Sequence, residues 1–391
     1  MIIPRLACKN IFGAGLRTWL NVVALSFSFV AIIFLQGLYN GMNEQVEKAT
    51  KDAEYGGGQY WQGSYDPLDP LALNDAHARV PDELQRLIAA NRALPILVRQ
   101  ATIYPNGRFQ NALLKGIPPG QRILTIPTSA LVVAPEGSIP ALIGERMARS
   151  TGLKVGDEVT VRWRDASGTF DADDLKVAAV MKTNVADIDS GQLWIPIEKM
   201  RAMTAMPGEA TIVVLEKGSL FGAAVPGWQH RDLRFLLRDL RALFLSKSIG
   251  GSIFYILLLL LAMLAIFDTQ ILSIFRRRKE MGTLMALGMT RAKIIQLFTL
   301  EGAMHAVLAA LVAAAYGVPL LAYVATAGYG LPEATGNFGF AIGNRIFPVF
   351  SVGLVIGTTL LVFIVTTIVS YLPTRRIAKL KPTDALRGKL T

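Results

Sequence analysis

The chain is 391 residues long, 52% hydrophobic and only 18% charged, with a mean hydropathy of +0.40. That is too apolar for an ordinary soluble protein, and the net charge of +11 is a sign of membrane orientation. One cysteine excludes an internal disulfide.

Residues 1–18 carry Arg5, Lys9 and Arg17 and no acid, and are read as a cytoplasmic N-terminal segment. Cys8 has no apolar run before it, so it reads as an unmodified thiol, not a lipidation site. The first apolar run, Trp19 to Leu38, has the roughly 20 residues a helix needs to cross a bilayer. No small-residue cleavage site follows at Tyr39 to Met42, so residues 19–40 are read as a retained transmembrane helix.

Residues 41–248 read as an extracytoplasmic α+β domain. Asn43 to Lys51 looks like a helical extension of the first span, and Pro81 to Arg92 like a helix with proline in its first turn. Leu94 to Tyr104 and Arg108 to Ile117 flank Asn106-Gly107, a strong hairpin signal. Ala141 to Thr151 is expected as a helix stopped by Gly152. Strands are expected at Glu158 to Arg164, Leu175 to Thr183, Gln192 to Pro196 and Thr211 to Leu215, in a small barrel or sandwich. Gln229 to Phe244 has leucines at helical spacing and is expected as an amphipathic helix leading to the next span.

The second span is placed at 249–272, followed by a cytoplasmic elbow at 273–300 and a third span at 301–325. An outer loop at 326–348, a fourth span at 349–371 and a cytoplasmic tail at 372–391 complete the chain. The elbow holds six cations against one acid, and the tail again six against one. With the N-terminal segment these carry more than the whole net charge, so both termini and the elbow face the cytoplasm. Nucleic acid is not needed to explain the basic balance. The fold class is an α-helical membrane protein with four transmembrane helices and the large α+β domain inserted between helices 1 and 2.

Catalytic patterns are absent. His77, His230 and His305 have no metal-like spacing, and there is no phosphate-cradling loop or nucleophile motif. Gly56-Gly57-Gly58 reads as a flexible turn. Asp268, Glu301 and His305 fall in or near spans, where ionisable groups are costly. Asp268 and Glu301 are expected near cytoplasmic helix ends, reaching headgroups or the elbow's cations, and His305 in an interhelical hydrogen bond.

The elbow is the most informative stretch. Arg276, Arg277, Arg278 and Lys279 mark the membrane exit and suit anionic headgroups. Met281, Leu284, Met285 and Leu287 then form an apolar face at helical spacing, Gly288 fits a helix C′ position and Thr290 an N-cap. Two helical arms joined by a tight turn, with an apolar face beside water, call for a partner.

The run Arg277 to Thr290 resembles the R-R-x-E-I-G-x-L-x-A-L-G-A-[ST] signature of FtsX-like permeases, of the MacB/LolC-E class of ABC transporters. Pro373 to Arg387 resembles that family's P-A-x-x-A-x-x-x-x-P-x-x-A-L-R tail. Ile143 to Ala148 followed by Gly152 to Val159 resembles the outer domain of the lipoprotein-releasing branch. Lys279 replaces a common arginine, and Pro67 to Pro70 is a second departure that bears on partner specificity.

The resemblance implies a non-catalytic subunit of a bacterial inner-membrane complex, with its large domain in the periplasm. Two copies of a separate ATPase bind ATP and Mg, and this chain holds no cofactor of its own. The ATPase docks at Glu280, Met281, Gly282, Leu284, Leu287, Gly288 and Thr290, with tail contacts from Arg375, Arg376, Pro382, Asp384, Leu386 and Arg387. A second permease, identical or paralogous, completes the unit, and ATP-driven closure reaches the outer domains as mechanotransmission. The implied cargo is a lipoprotein or other amphipathic molecule, passed to a periplasmic carrier. Phe27, Phe34 and Leu260 are the candidate substrate-facing residues. The alternatives are MacB-type efflux or peptide export, and FtsX-type signalling to cell-wall hydrolases.

Overall fold

The first apolar run folds within helix α1 (Leu16–Thr50), which ends in a π-helical turn over Lys51–Tyr55. The computed structural model describes residues 15–132, 138–183, 185–219, 221–330 and 345–377. The chain divides into two compact units, one drawn from residues 1–42, 244–330 and 345–391, the other from 43–243 and 331–344.

The second unit continues from the π-turn with β1 (Gln59–Gln62), β2 (Ala78–Arg79), α2 (Asp82–Ala89), β3 (Ala93–Ile103), β4 (Gln110–Ile117) and β5 (Ile139–Gly144). It goes on through α3 (Glu145–Thr151), β6 (Glu158–Arg164), β7 (Phe170–Met181), α4 (Ala186–Gly191), β8 (Gln192–Pro196) and α5 (Ile197–Met203). β9 (Glu209–Ala210), β10 (Ile212–Leu215), β11 (Trp228–Arg231) and α6 (Leu233–Leu236) follow. Nine strands form one sheet in the order β11-β1-β10-β3-β4-β8-β5-β7-β6, and a further β3–β6 pairing closes the last six into a ring. The length of β3 permits this. Ile96 pairs with Ile212 of β10, Ala101 to Ile103 pair with β6, and β4 runs along the other edge.

β6 reads Glu-Val-Thr-Val-Arg-Trp-Arg, and Val159, Val161 and Trp163 are buried while their neighbours are exposed. That alternation places one face inside the ring. There the three pack with Leu97, Ile103, Leu114, Ile143 and Ile195. The opposite face of β3 presents Leu94, Ile96 and Val98 to a second core, which includes Leu124, Ile126 and Ala53 of the π-turn. The β3–β4 hairpin turns where the sequence indicates, with Asn106 at φ 51° and Gly107 at φ 74°.

Two expected helices are corrected. Residues 139–144 are the strand β5, paired with β7 and β8, and only Glu145–Thr151 is helical. An apolar run buried on both faces carries no periodicity that separates strand from helix. Likewise Trp228–Arg231 joins β1 as an edge strand. The helix starts only after Asp232, whose side chain accepts a hydrogen bond from the Phe235 N–H. β7 also begins at Phe170, earlier than the expected Leu175.

The first unit contains most of α1, α7 (Arg238–Arg276) from residue 244 onward, α8 (Arg278–Ala286) and α9 (Arg291–Ala327). A short pair, β12 (Tyr329–Gly330) with β13 (Arg345–Ile346), precedes α10 (Val352–Ile377). Among the described residues, four helices are long and apolar enough to cross a membrane: Trp19–Tyr55, Arg238–Ser273, Arg291–Ala327 and Val352–Arg375. Val22, Phe29, Ala262, Ile266, Ala306, Ala309 and Val362 form their shared core. Small residues set the close approaches. A Cβ on Gly302 of α9 would fall 2.0 Å from Ser370 Oγ of α10, and one on Gly317 would fall 2.7 Å from Val30 of α1.

Candidate functional site

The elbow joins α7 to α9 in three steps. α7 ends at Arg276, and Arg277 at φ −93°, ψ 13° breaks the helix before α8 begins. α8 closes with two hydrogen bonds, from the Gly288 N–H to the Met285 carbonyl (3.1 Å) and from the Met289 N–H to the Leu284 carbonyl (2.9 Å). This pairing is a Schellman motif and needs a left-handed residue, which Gly288 supplies at φ 90°. Thr290 then caps α9, its hydroxyl oxygen accepting from the Lys293 N–H at 3.4 Å. Sequence punctuation thus located both ends of the turn.

The apolar residues do not share one face. Met285 and Met289 pack on Ile294 and Phe298, which are about 1% exposed, so this part of the elbow is anchored on α9. Leu284 is half-buried and Gly282 buried. Leu287 stands 80% exposed at the turn, beside exposed Ala286, Gly288 and Thr290. The backbone of Met281 lies in α8, and its side chain falls outside the described residues.

The four cations also separate. Arg276 is exposed, and the side chains of Arg278 and Lys279 fall outside the described residues. Arg277 turns inward instead. Its Nη1 lies 3.0 Å from both carboxylate oxygens of Glu301, and its Nε lies 2.8 Å from Glu280 Oε2. Its guanidinium also stands 5.1 Å from the centre of the Phe298 ring. Burial disfavours this cation, but hydrogen bonds and charges from Glu280 and Glu301 outweigh it and hold its pKa above the ordinary value. Glu301 is buried and Glu280 exposed. His305 Nδ1 lies 2.8 Å from the Glu301 carbonyl, which can only accept, so Nδ1 carries the proton. Sequence reasoning placed Glu301 near the elbow's cations but did not single out Arg277 as a cation that reaches it.

The remaining candidates are scattered. Phe27 and Leu260 are 64% and 51% exposed on α1 and α7. Phe34 is half-buried, edge-on to Tyr329 at 5.9 Å. Arg375 is exposed near the end of α10, whose backbone also includes Arg376, and Pro382, Asp384, Leu386 and Arg387 lie outside the described residues. Asp268 is exposed. His77 pairs with Glu209, and His230 stacks near Tyr60.

Four long apolar helices, a large β-ring domain after the first and a capped elbow after the second are the features to compare with known proteins. Residues 252–382 match the FtsX-like permease C-terminal model, and residues 18–225 match the MacB-like periplasmic core domain. The chain belongs to the FtsX/MacB family of ABC transporter permeases. It is 32% identical over 131 residues to an uncharacterized ABC transporter permease of Methanocaldococcus jannaschii, a match covering 34% of this chain and 30% of that relative. The extracellular domain of the noncanonic ABC-type transporter YknZ from Gram-positive bacteria aligns with 42% of this chain and 84% of its own, at 13% identity and a TM-score of 0.26.

Proposed function

We propose that this chain is the non-catalytic permease subunit of an ABC transporter, receiving ATP-derived motion at residues 280–290 from a separate ATPase and passing it to its extracytoplasmic domain. Two permease subunits, identical or paralogous, work with two ATPase copies that bind ATP and Mg²⁺. The complex sits in a bacterial inner membrane, with both termini and the elbow cytoplasmic. The observation that carries this reading is Leu287. It is an apolar side chain held 80% exposed at a Schellman turn fixed by the Gly288 and Met289 backbone hydrogen bonds. Isolated exposed leucines are common, but this one crowns a fixed turn within the part of the chain that matches the permease model.

Leu287→Asp is therefore expected to reduce copurification of the ATPase at least tenfold while leaving membrane insertion unchanged. Wild-type levels of bound ATPase would remove the elbow as the docking site.

For cargo, the reading carried forward is extraction of lipoproteins from the inner membrane and release to a periplasmic carrier. It rests on the likeness of residues 143–159 to the lipoprotein-releasing branch. Efflux or peptide export, and signalling to cell-wall hydrolases, fit the family match equally well. Photo-crosslinkers at Phe27 and Leu260 separate them: an acylated protein supports the first, and trapped peptide, trapped phospholipid alone or an absence of any cargo overturns it.

A further inference from the structure

We infer that the Arg277–Glu301 ion pair pins the elbow to α9, so that a push delivered at the elbow enters the helix bundle through α9. This inference rests on the reading of the elbow as the docking site.

Three observations carry it. First, the elbow's link to α7 is a bend, since Arg277 has non-helical backbone angles between two helices. A backbone break of this kind is a place where neighbouring helices change angle. Second, several described side chains of the elbow anchor it to α9. Met285 and Met289 pack on Ile294 and Phe298, and the Arg277 guanidinium spans Glu280 at the start of α8, the Phe298 ring and the Glu301 carboxylate. The Glu301 side chain is 7% exposed, and a carboxylate so far from water requires a paired cation. The arginine thus holds a contact that is expensive to break, 24 residues along the chain from its own position.

Third, α9 is closely packed against the helices beyond it. Immediately after Glu301, Gly302 lets the Ser370 side chain of α10 and the Gln270 side chain of α7 approach its backbone. Further along, Gly317 does the same for Val30 of α1. Displacement of α9 is transmitted to α10 and α1 because such contacts leave no free space to absorb it. Arg277 and Glu301 are positioning residues here: they touch neither nucleotide nor cargo, and they decide which helix follows the elbow.

The test uses the full chain in lipid nanodiscs, with whatever ATPase copurifies with the wild type. Glu301→Gln keeps the shape and removes the charge. It is expected to speed amide hydrogen exchange at Leu287, Gly288 and Met289 at least tenfold. Copurified ATPase should stay within twofold of wild type, and stimulated ATP turnover should fall at least tenfold. The exchanged pair Arg277→Glu/Glu301→Arg should recover at least half of that turnover, which loss of general packing would not allow. Arg277→Lys, which keeps the charge but loses the fork, should give an intermediate exchange rate and serves if Glu301→Gln does not insert. Unchanged exchange in both single variants overturns the pin, as does a swap that inserts normally and recovers nothing. If no ATPase copurifies with the wild type, the docking reading fails, and the exchange measurement still decides the pin.

Discussion

Arg99 shows how a single side chain holds the extracytoplasmic domain together. It is 2% exposed, and its two terminal nitrogens donate to four carbonyl groups. Leu73 and Asn74 accept at 2.8 Å, and Arg164 and Asp165 at 3.3 and 3.2 Å. The guanidinium therefore ties the 72–74 turn to the end of β6 and the start of the turn before β7. Planar donors in a fixed fork suit this task, and an ammonium does not. Arg99→Met is expected to strand these carbonyls and to destabilise the domain by about 3 kcal/mol, since a buried acceptor left unsatisfied costs about 1–3 kcal/mol. Arg99→Lys should recover only part of the loss. Thermal unfolding of the full chain in detergent checks both, and a methionine variant as stable as wild type would deny Arg99 this role. Arg277 obeys the same rule in the elbow. In both cases the arginine is committed to buried acceptors.

At the scale of elements, the bundle depends on which glycines are filled and which are free. A side chain at Gly302 would collide with Ser370, whereas one at Gly357 in α10 meets nothing within 4 Å. Gly302→Ala is expected to force α9 and α10 apart, at a cost of about 1–3 kcal/mol as for other overpacked cores. Gly357→Ala should be neutral or stabilise α10 by up to about 1 kcal/mol, the ordinary helix preference of alanine over glycine. Melting temperatures in one detergent decide this, and equal effects at the two sites would mean that the α9–α10 contact is not close-packed. The sequence distinguishes these glycines poorly, because the difference lies in a neighbour some seventy residues away. It marks local punctuation well: Asn106-Gly107, the strict alternation of β6, and the Gly288 stop with its Thr290 restart all depend on adjacent residues. β5 was misread because Ile-Pro-Ala-Leu-Ile-Gly is buried on both faces and shows no period. β11 was misread because one polar four-residue edge strand carries almost no pattern. The inward turn of Arg277 was illegible for a third reason. Four adjacent cations are equivalent as letters, and nothing in the run itself shows that Arg277 turns toward Glu301.

For the whole molecule, the strongest remaining expectation is orientation. Cations outnumber acids in residues 1–18, in the elbow and in the tail, and the remainder of the chain is slightly acidic. Positive segments flanking spans stay on the cytoplasmic side, so the β-ring domain must be on the other face if α1 crosses once. All three readings of function require this. An ATPase reaches the elbow only from the cytoplasm, and an amphipathic cargo or cell-wall partner meets the ring domain only outside. The single native cysteine makes the test direct. In spheroplasts, a membrane-impermeant maleimide should leave Cys8 unlabelled until the membrane is permeabilised. In a Cys8→Ser background, Ser167→Cys in the exposed β6–β7 turn should label at once. Ala286→Cys, exposed beside Leu287 on the elbow, should behave like Cys8. Immediate labelling at position 286 would place the elbow outside, beyond reach of any cytoplasmic ATPase, and would overturn the proposed function together with the orientation.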